Sequence, residues 1–471
     1  MAVDREVTLR SGTRSLFVLG YAFGFTFFLI GVHWIARLSD VAITVPWLKY
    51  PACLLGAGYL ALFSGFTVVV AGVLARRAPL ALTFPPALIA VEKWRASGEL
   101  GFPWFQPGYS QHAYVPVIQM ASLGGVALVT LWIAILNVLL WRALRGGARL
   151  RALLGFALLL TLPWVWGHRV LEAAPRGPAT PVALIQGNIA GEIKWSGHHQ
   201  NEILQAFLEL SERAVHATPR PSLILWPETA TGSYLRKQLD QALAVTAFAA
   251  RTGVPVFTGY ADYVPAPDGT LKQYNAAGLF TPDGRPGLMY AKRHLVPFGE
   301  RMPFQKLIPA LGRLELGQAE WTPGTGPVLF PSAAGPFGCL VCFESIFGEL
   351  AREDVQHGAR WLVNITNDEW FGNSAALYQH AAMAVFRAAE NHVPVARCAN
   401  TGLTMMIDAR GRVIARAATF TPAVLACAVP PCGPPTPFTR LGDWPSWLSV
   451  TALVALGLGA ARTLTARVPA D

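Results

Sequence analysis

Apolar residues gather in long unbroken runs near both ends of the chain and in short, regularly interrupted ones through its middle. The long runs are Ser15–Ala36, Ala52–Ala75, Val115–Trp141, Leu153–Trp166 and Trp447–Ala461, each bounded by Arg or Pro. A helix needs about 20 apolar residues to cross roughly 30 Å of hydrocarbon. The first three runs are therefore predicted to span a membrane; the last two are short and rely on flanking aromatics. A sixth run, Ala78–Val91, holds Pro79, Pro85 and Pro86. Proline removes backbone hydrogen bonds that lipid cannot replace, and this run is taken as a span against that cost. The first run is too long for a cleavable signal and lacks a small-residue cleavage site.

Residues 180–432 follow a different period. Short β-rich runs at Pro181–Gln186, Leu223–Trp226, Val254–Thr258, Ala276–Phe280, Phe337–Phe343, Trp361–Ile365 and Leu403–Ile407 predict strands. Asn201–His216, Lys237–Arg251 and Leu377–Asn391 carry helical spacing. Strands alternating with helices predict an α/β sandwich around a buried sheet. Pro-rich Val429–Pro437 reads as a stiff linker. The expected organisation is a membrane region at 1–175 with about five spans, an α/β domain at 176–437, and a C-terminal membrane helix and tail at 438–471.

Composition sharpens the membrane reading. Of 471 residues, 53% are hydrophobic and only 14% charged, against about 25% charged in soluble domains; mean hydropathy is +0.38. The net charge of +10 fits arginine in cytoplasmic loops better than a polyanion site, because no basic run is interleaved with aromatics. No nucleic acid partner is expected. With the N-terminus inside, eleven basic residues flank spans on that side (Arg5, Arg10, Arg14, Arg76, Arg77, Arg142, Arg145, Arg149, Arg151, Arg462, Arg467). Seven lie outside (Arg37, Lys49, Lys93, Arg95, Arg169, Arg176, Arg440). This places the α/β domain outside the membrane, provided Ala78–Val91 crosses it. The six cysteines include a C-x-x-C at Cys339 and Cys342. No second pair accompanies it, and residues three apart on a strand face opposite sides, so no metal is expected.

Three segments carry candidate chemistry. Glu228 follows an apolar strand and Pro227; it is either a general base with a pKa raised by burial or a surface-loop carboxylate. Lys292, in Tyr290–Glu300, is either a fixed cation for an oxyanion or part of an ordinary basic loop, and Glu300 can orient it or a substrate amine. Cys342 ends a hydrophobic strand just before a helical segment, where a helix N-terminus and a lysine both favour thiolate; a buried cysteine is otherwise core. The separations of 64 and 50 residues between the three suit successive loops at one end of a sheet. Asn364–Gly372 reads on its own as a turn after a strand. Gly101–Gln111 reads equally as a membrane-interface belt or as a lipid-chain entrance.

Glu228, Lys292 and Cys342 in this order resemble the triad of the carbon–nitrogen hydrolase (nitrilase) superfamily. With the flanking spans, the chain is similar to its membrane-anchored branch, the apolipoprotein N-acyltransferases. The resemblance covers nearly the whole chain: Gly101–Gln106, Gln186–Asn188, Lys194–Trp195, Trp226–Glu228, His294–Glu300, Asn364–Gly372, Gln379–His380, Arg397–Gly402 and Gly442–Pro445. It implies a nitrilase-type αββα sandwich inserted between transmembrane helices. It assigns Glu228 as base, Lys292 as transition-state stabiliser and Cys342 as nucleophile. Trp195, Glu300, Phe343, Glu344 and Trp370 are implied as substrate-binding or supporting residues. The implied reaction moves an acyl chain from a membrane phospholipid through a Cys342 thioester to the N-terminal diacylglyceryl-cysteine of a lipoprotein. It implies no metal or organic cofactor, a monomer, and the inner membrane with the catalytic domain on the periplasmic side. The sequence departs from the family at two places: two further N-terminal hydrophobic helices are usual, and Phe343 stands where Tyr is common. These departures keep a membrane-tethered amidase as the alternative. A non-catalytic scaffold is disfavoured by the intact triad.

Overall fold

In a computed structural model the chain forms two compact units: 1–36, 47–173 and 441–471 make one, 37–46 and 174–440 the other. The structure describes all residues except 1–11, 40–44, 146–147, 174, 176, 268, 286, 314–318 and 466–471, and the side chains of 459–465. Arg5, Arg10, Arg176, Arg467 and the Arg462 side chain thus lie outside the described residues.

The first unit is helical: α1 (Thr13–Val32), α2 (Lys49–Ala75), α3 (Leu80–Arg95), α4 (Val115–Ile118), α5 (Ala121–Arg145), α6 (Arg149–Glu172) and a closing helix, Trp444–Thr465. Among the described residues, four helical stretches are long and apolar enough to cross a membrane: Thr13–Arg37, Pro46–Ala75, Ala121–Arg145 and Arg149–Glu172. Helices in lipid associate by close backbone approach at small residues. A Cβ on Gly20 would lie 2.6 Å from the Ser64 carbonyl, and one on Gly24 would lie 2.5 Å from Ser64 Cβ.

Three expectations about the spans change. The predicted run Val115–Trp141 is not one helix: α4 ends at Ile118, α5 begins at Ala121, and α5 is kinked near its start where Gly124 and Gly125 leave helical geometry, Gly125 at φ +69°. Helix α6 is 24 residues long, well beyond Leu153–Trp166, since its arginine-bearing first turn and His168–Glu172 are helical but not apolar. Helix α3 continues through Pro85 and Pro86 but has 16 residues, about 24 Å at 1.5 Å per residue. Buried Arg95 ends it, pairing with Glu92 and donating to the carbonyls of Phe102 and Trp104. This packs the first half of the Gly101–Gln111 segment.

The second unit runs β1 (Thr180–Gln186), α7 (Gly191–Lys194), α8 (Gln200–Val215), β2 (Ile224–Leu225), α9 (Leu239–Thr252), β3 (Val256–Pro265), β4 (Leu271–Phe280), β5 (Met289–Ala291), β6 (Leu329–Phe330), β7 (Phe337–Val341), α10 (Gly348–Gln356), β8 (Trp361–Thr366), α11 (Ala375–Asn391), β9 (Val395–Ala399), β10 (Met405–Ile407), β11 (Val413–Arg416) and β12 (Ala423–Val429). The strands form two six-stranded sheets, ordered β12-β1-β2-β3-β4-β5 and β11-β10-β9-β8-β7-β6. Each has a parallel centre, β1-β2-β3 or β9-β8-β7. Phe257 packs edge-on against Phe330 and Phe337 at 4.8 and 5.0 Å, binding the sheets face to face. On the outside of the first sheet, Phe207 of α8 lies 5.1 Å from Trp226. This is the αββα sandwich that the resemblance implies.

Candidate active site

The C-terminal ends of the parallel strands are where open α/β sheets hold their ligands, and both sheets deliver functional groups there. Trp226 follows β2, fully buried, its indole N–H donating to Ser211 Oγ at 2.8 Å. Pro227 stops the strand, and Glu228 emerges with its carboxylate nearly buried. Asn275 Nδ2 donates to Glu228 Oε1 at 2.8 Å, and the Asn367 backbone N–H donates to Oε2 at 2.8 Å. Lys194 Nζ donates to the Glu228 carbonyl at 3.1 Å. Gly259 on β3 leaves room for this bend, since a Cβ there would lie 2.8 Å from Glu228 Cα.

Lys292 leaves β5 into the same space, with 1% of its surface exposed. Its ammonium lies 2.8 Å from Glu300 Oε1 and 3.6 Å from Glu228 Oε1. Burial alone would lower its pKa, but the Glu300 and Glu228 carboxylates reverse this and hold it raised. The two carboxylates therefore favour the charged form of Lys292. Glu300 orients it, and Glu300 is itself fixed by the Val296 N–H at 2.8 Å.

Cys342 follows β7 with φ +51°, a left-handed conformation that costs a non-glycine residue about 1–3 kcal/mol. The predicted strand thus stops at Val341, and a short 3-10 turn, Cys342–Ile346, replaces the expected helix start. Burial raises the Cys342 thiol, the Glu228 carboxylate adds to this, and Lys292 only partly offsets it. The balance therefore favours the thiol over the thiolate that the lysine alone would favour. A base is needed to ionise it, and Glu228 is the carboxylate whose charge bears on it most.

The remaining expected residues divide by position. Glu344 is 0% exposed and accepts from Val341 N at 2.7 Å, Arg293 N at 2.6 Å, His294 N at 3.1 Å and both ways from the Tyr290 hydroxyl. It ties the lysine loop to the cysteine turn and has no surface left for substrate. Phe343 packs between His294 and Phe347. Trp195 and Trp370 keep 41% and 37% of their surface exposed. They adjoin Lys194 and Glu369, whose charges interact. Burial drops Lys194 to about 8 despite the opposing pull of Glu228 and Glu369.

Asn275 escaped the sequence reading, while Lys194, Asn367, Asp368, His380 and Arg397 stood in segments quoted for the resemblance but were given no role. A polar residue inside an apolar strand run, as Asn275 is, was the available signal.

The fold and the grouping at its strand ends define a membrane-anchored member of the carbon–nitrogen hydrolases. The chain matches the carbon-nitrogen hydrolase family over residues 181–431, and the apolipoprotein N-acyltransferase N-terminal domain over 6–139. It is 36% identical to the apolipoprotein N-acyltransferase of Geobacter metallireducens, over 94% of this chain and 86% of that one. It is 34% identical to that of Methylococcus capsulatus, over 95% and 88%. A solved carbon-nitrogen hydrolase from Helicobacter pylori is similar at 16% identity and a TM-score of 0.42, covering 57% of this chain and 92% of that one. The chain belongs to the apolipoprotein N-acyltransferase family.

Proposed function

We propose that this membrane protein transfers an acyl chain from a phospholipid to the α-amine of the N-terminal diacylglyceryl-cysteine of a lipoprotein, in two steps through a thioester on Cys342. The observation that carries this reading is the convergence of Glu228, Lys292 and Glu300 on one another, with the Cys342 thiol under the charge of Glu228 and Lys292. Family membership over nearly the full length supplies the lipid and lipoprotein substrates and disfavours the amidase alternative.

Glu228 takes the thiol proton as Sγ attacks the donor ester carbonyl. Lys292 and backbone amides stabilise the tetrahedral oxyanion. The C–O bond breaks, and Glu228 returns the proton to the departing lysophospholipid oxygen. The acceptor amine then attacks the thioester and gives its proton to Glu228. The C–S bond breaks, and the proton passes to Sγ. Splitting the transfer lets two lipid substrates use one site in turn. Trp195 and Trp370 offer exposed aromatic surface for substrate beside the site. Each chain holds the full set within one unit, which supports action as a monomer. With α3 taken as a crossing despite its 16 residues, the arginine bias supports an outer-face position for the α/β unit, and family membership supports an inner-membrane location.

The test is mass spectrometry of a synthetic diacylglyceryl peptide incubated with the purified protein and defined phospholipids. A gain of one acyl chain on the α-amine is expected. Release of free fatty acid with no change in the peptide would refute the transfer.

A further inference from the structure

The Cys342 turn is strained, and something must hold it. Its carbonyl is held by three side chains: it accepts from Ser345 Oγ at 3.0 Å, from His380 Nε2 at 3.1 Å and from Asn364 Nδ2 at 3.5 Å. Ser345 Oγ also lies 2.9 Å from His380 Nε2. Behind the ring, Arg397 Nη2 approaches His380 Nδ1 at 3.0 Å. Both guanidinium amines reach the Asp368 carboxylate, Nη1 at 2.9 Å and Nη2 at 3.0 Å, and Thr366 Oγ1 adds a bond to it at 3.0 Å. Ser345, Asp368, His380 and Arg397 are all buried.

Two one-way groups fix the imidazole. A carbonyl only accepts and a guanidinium only donates. The Nε2 facing the Cys342 carbonyl must carry hydrogen, and the Nδ1 facing Arg397 must carry a lone pair. The 3.2 Å approach of Nδ1 to Asp368 Oδ1 is therefore a contact across the Arg397 fork. A protonated ring would set an N–H against the guanidinium. Burial lowers the His380 pKa and Arg397 adds to that, outweighing the opposing pull of Asp368, in keeping with a neutral ring. Asp368 is held as an anion: burial would raise it, but the Arg397 guanidinium brings it well below the usual carboxylate range.

We infer that His380 is a positioning residue for the transfer: as a neutral Nε2–H imidazole backed by Arg397 and Asp368, it clamps the Cys342 carbonyl and so aims the thiol. It does not exchange protons with substrate; that falls to Glu228. Gly402 serves the same clamp, because a Cβ there would lie 2.0 Å from Asp368 Oδ2. The inference rests on Cys342 being the nucleophile.

The experiment measures the rate of acyl-adduct formation on Cys342 in the full-length protein in detergent, with palmitoyl phosphatidylethanolamine and phosphatidylglycerol as probes. Intact mass is read with and without neutral hydroxylamine. Wild type must first show a hydroxylamine-labile adduct on Cys342; its absence there removes the nucleophile assignment and is separate from the clamp. Misaiming a reacting group by about 1 Å costs on the order of 10²-fold, so His380→Leu should slow acylation by about that factor. KM for the donor should be unchanged, since the clamp touches no lipid. His380→Gln, whose amide N–H can replace Nε2–H, should stay within about tenfold of wild type. If His380→Leu does not fold, His380→Asn, one methylene too short, takes its place, and Ser345→Ala should show a smaller loss of the same kind. A folded His380→Leu protein with wild-type specific activity, or a His380→Gln protein as slow as His380→Leu, overturns the clamp.

Discussion

Both sheets aim a parallel centre at the site, but they arrive with different equipment. The first sheet brings charge: Glu228 at the end of β2, Lys292 at the end of β5, with Asn275 and Glu300 between them. The second brings a bent backbone: Cys342 at φ +51° and the buried polar group that holds its carbonyl. The Lys292 cation is kept by electrostatics, whereas the Cys342 thiol is kept by geometry and has a pKa that burial pushes the wrong way for spontaneous ionisation. In the proposed reaction, proton transfer and charge stabilisation come from one sheet and the attacking atom from the other. Glu344 is the tie between them, a carboxylate next to the cysteine turn that accepts from the lysine loop.

Removing charge should hurt most. Lys292→Ala leaves the oxyanion without its cation and should lower kcat by roughly 10²–10³-fold, with the folded protein still present by circular dichroism. Near-normal kcat would show that the first sheet does not supply the stabilising charge. Glu344→Gln attacks the tie. It turns an acceptor that receives several N–H and O–H groups into one that points its own N–H at some of them. A loss of about 1–3 kcal/mol in stability is expected, read from the denaturation midpoint, together with a fall in activity. An unchanged midpoint would mean the two loops are held by other contacts.

Glu300→Gln is a finer cut. The Glu300 carboxylate is among the charges that raise Lys292, so neutralising it must lower the Lys292 pKa. The alkaline limb of the pH–rate profile should then move to lower pH, and the rate near neutrality should fall roughly tenfold, equivalent to about 1.4 kcal/mol. A limb that stays in place or moves upward contradicts the pairing. Phe343→Tyr is the mildest change. The ring packs on His294 and Phe347 at 5.9 and 5.3 Å, and one added hydroxyl should alter kcat/KM by no more than about threefold, a few tenths of a kcal/mol. A large loss would indicate a pocket shaped around phenylalanine.

How much of this could be read from sequence follows the same division. The candidate residues of the first sheet stand out because a carboxylate or a lysine after an apolar strand is locally odd. The strands themselves show wherever apolar residues crowd, as in Phe337–Val341. What is hidden is set by distant pairing. Strand β12 is only half-buried and pairs in an antiparallel ladder with β1, Thr180 opposite Val429; its apolar run, Ala423–Val429, shows in the sequence but its partner does not. Asp368 and His380 sit in segments that read as a turn and a helix, Arg397 lies on strand β9 that was not predicted, and only the packing of α11 on the second sheet brings them together. In the membrane unit, the kink within Val115–Trp141 depends on the φ of Gly125, which hydropathy does not register.

The central claim is that Cys342 carries the acyl chain between the two substrates. The measurement is intact-protein mass spectrometry after mixing the enzyme with phospholipid and no amine acceptor. The account predicts a mass gain of one acyl chain that neutral hydroxylamine removes and that is absent from Cys342→Ala. A gain that resists hydroxylamine, or that persists in Cys342→Ala, would contradict it.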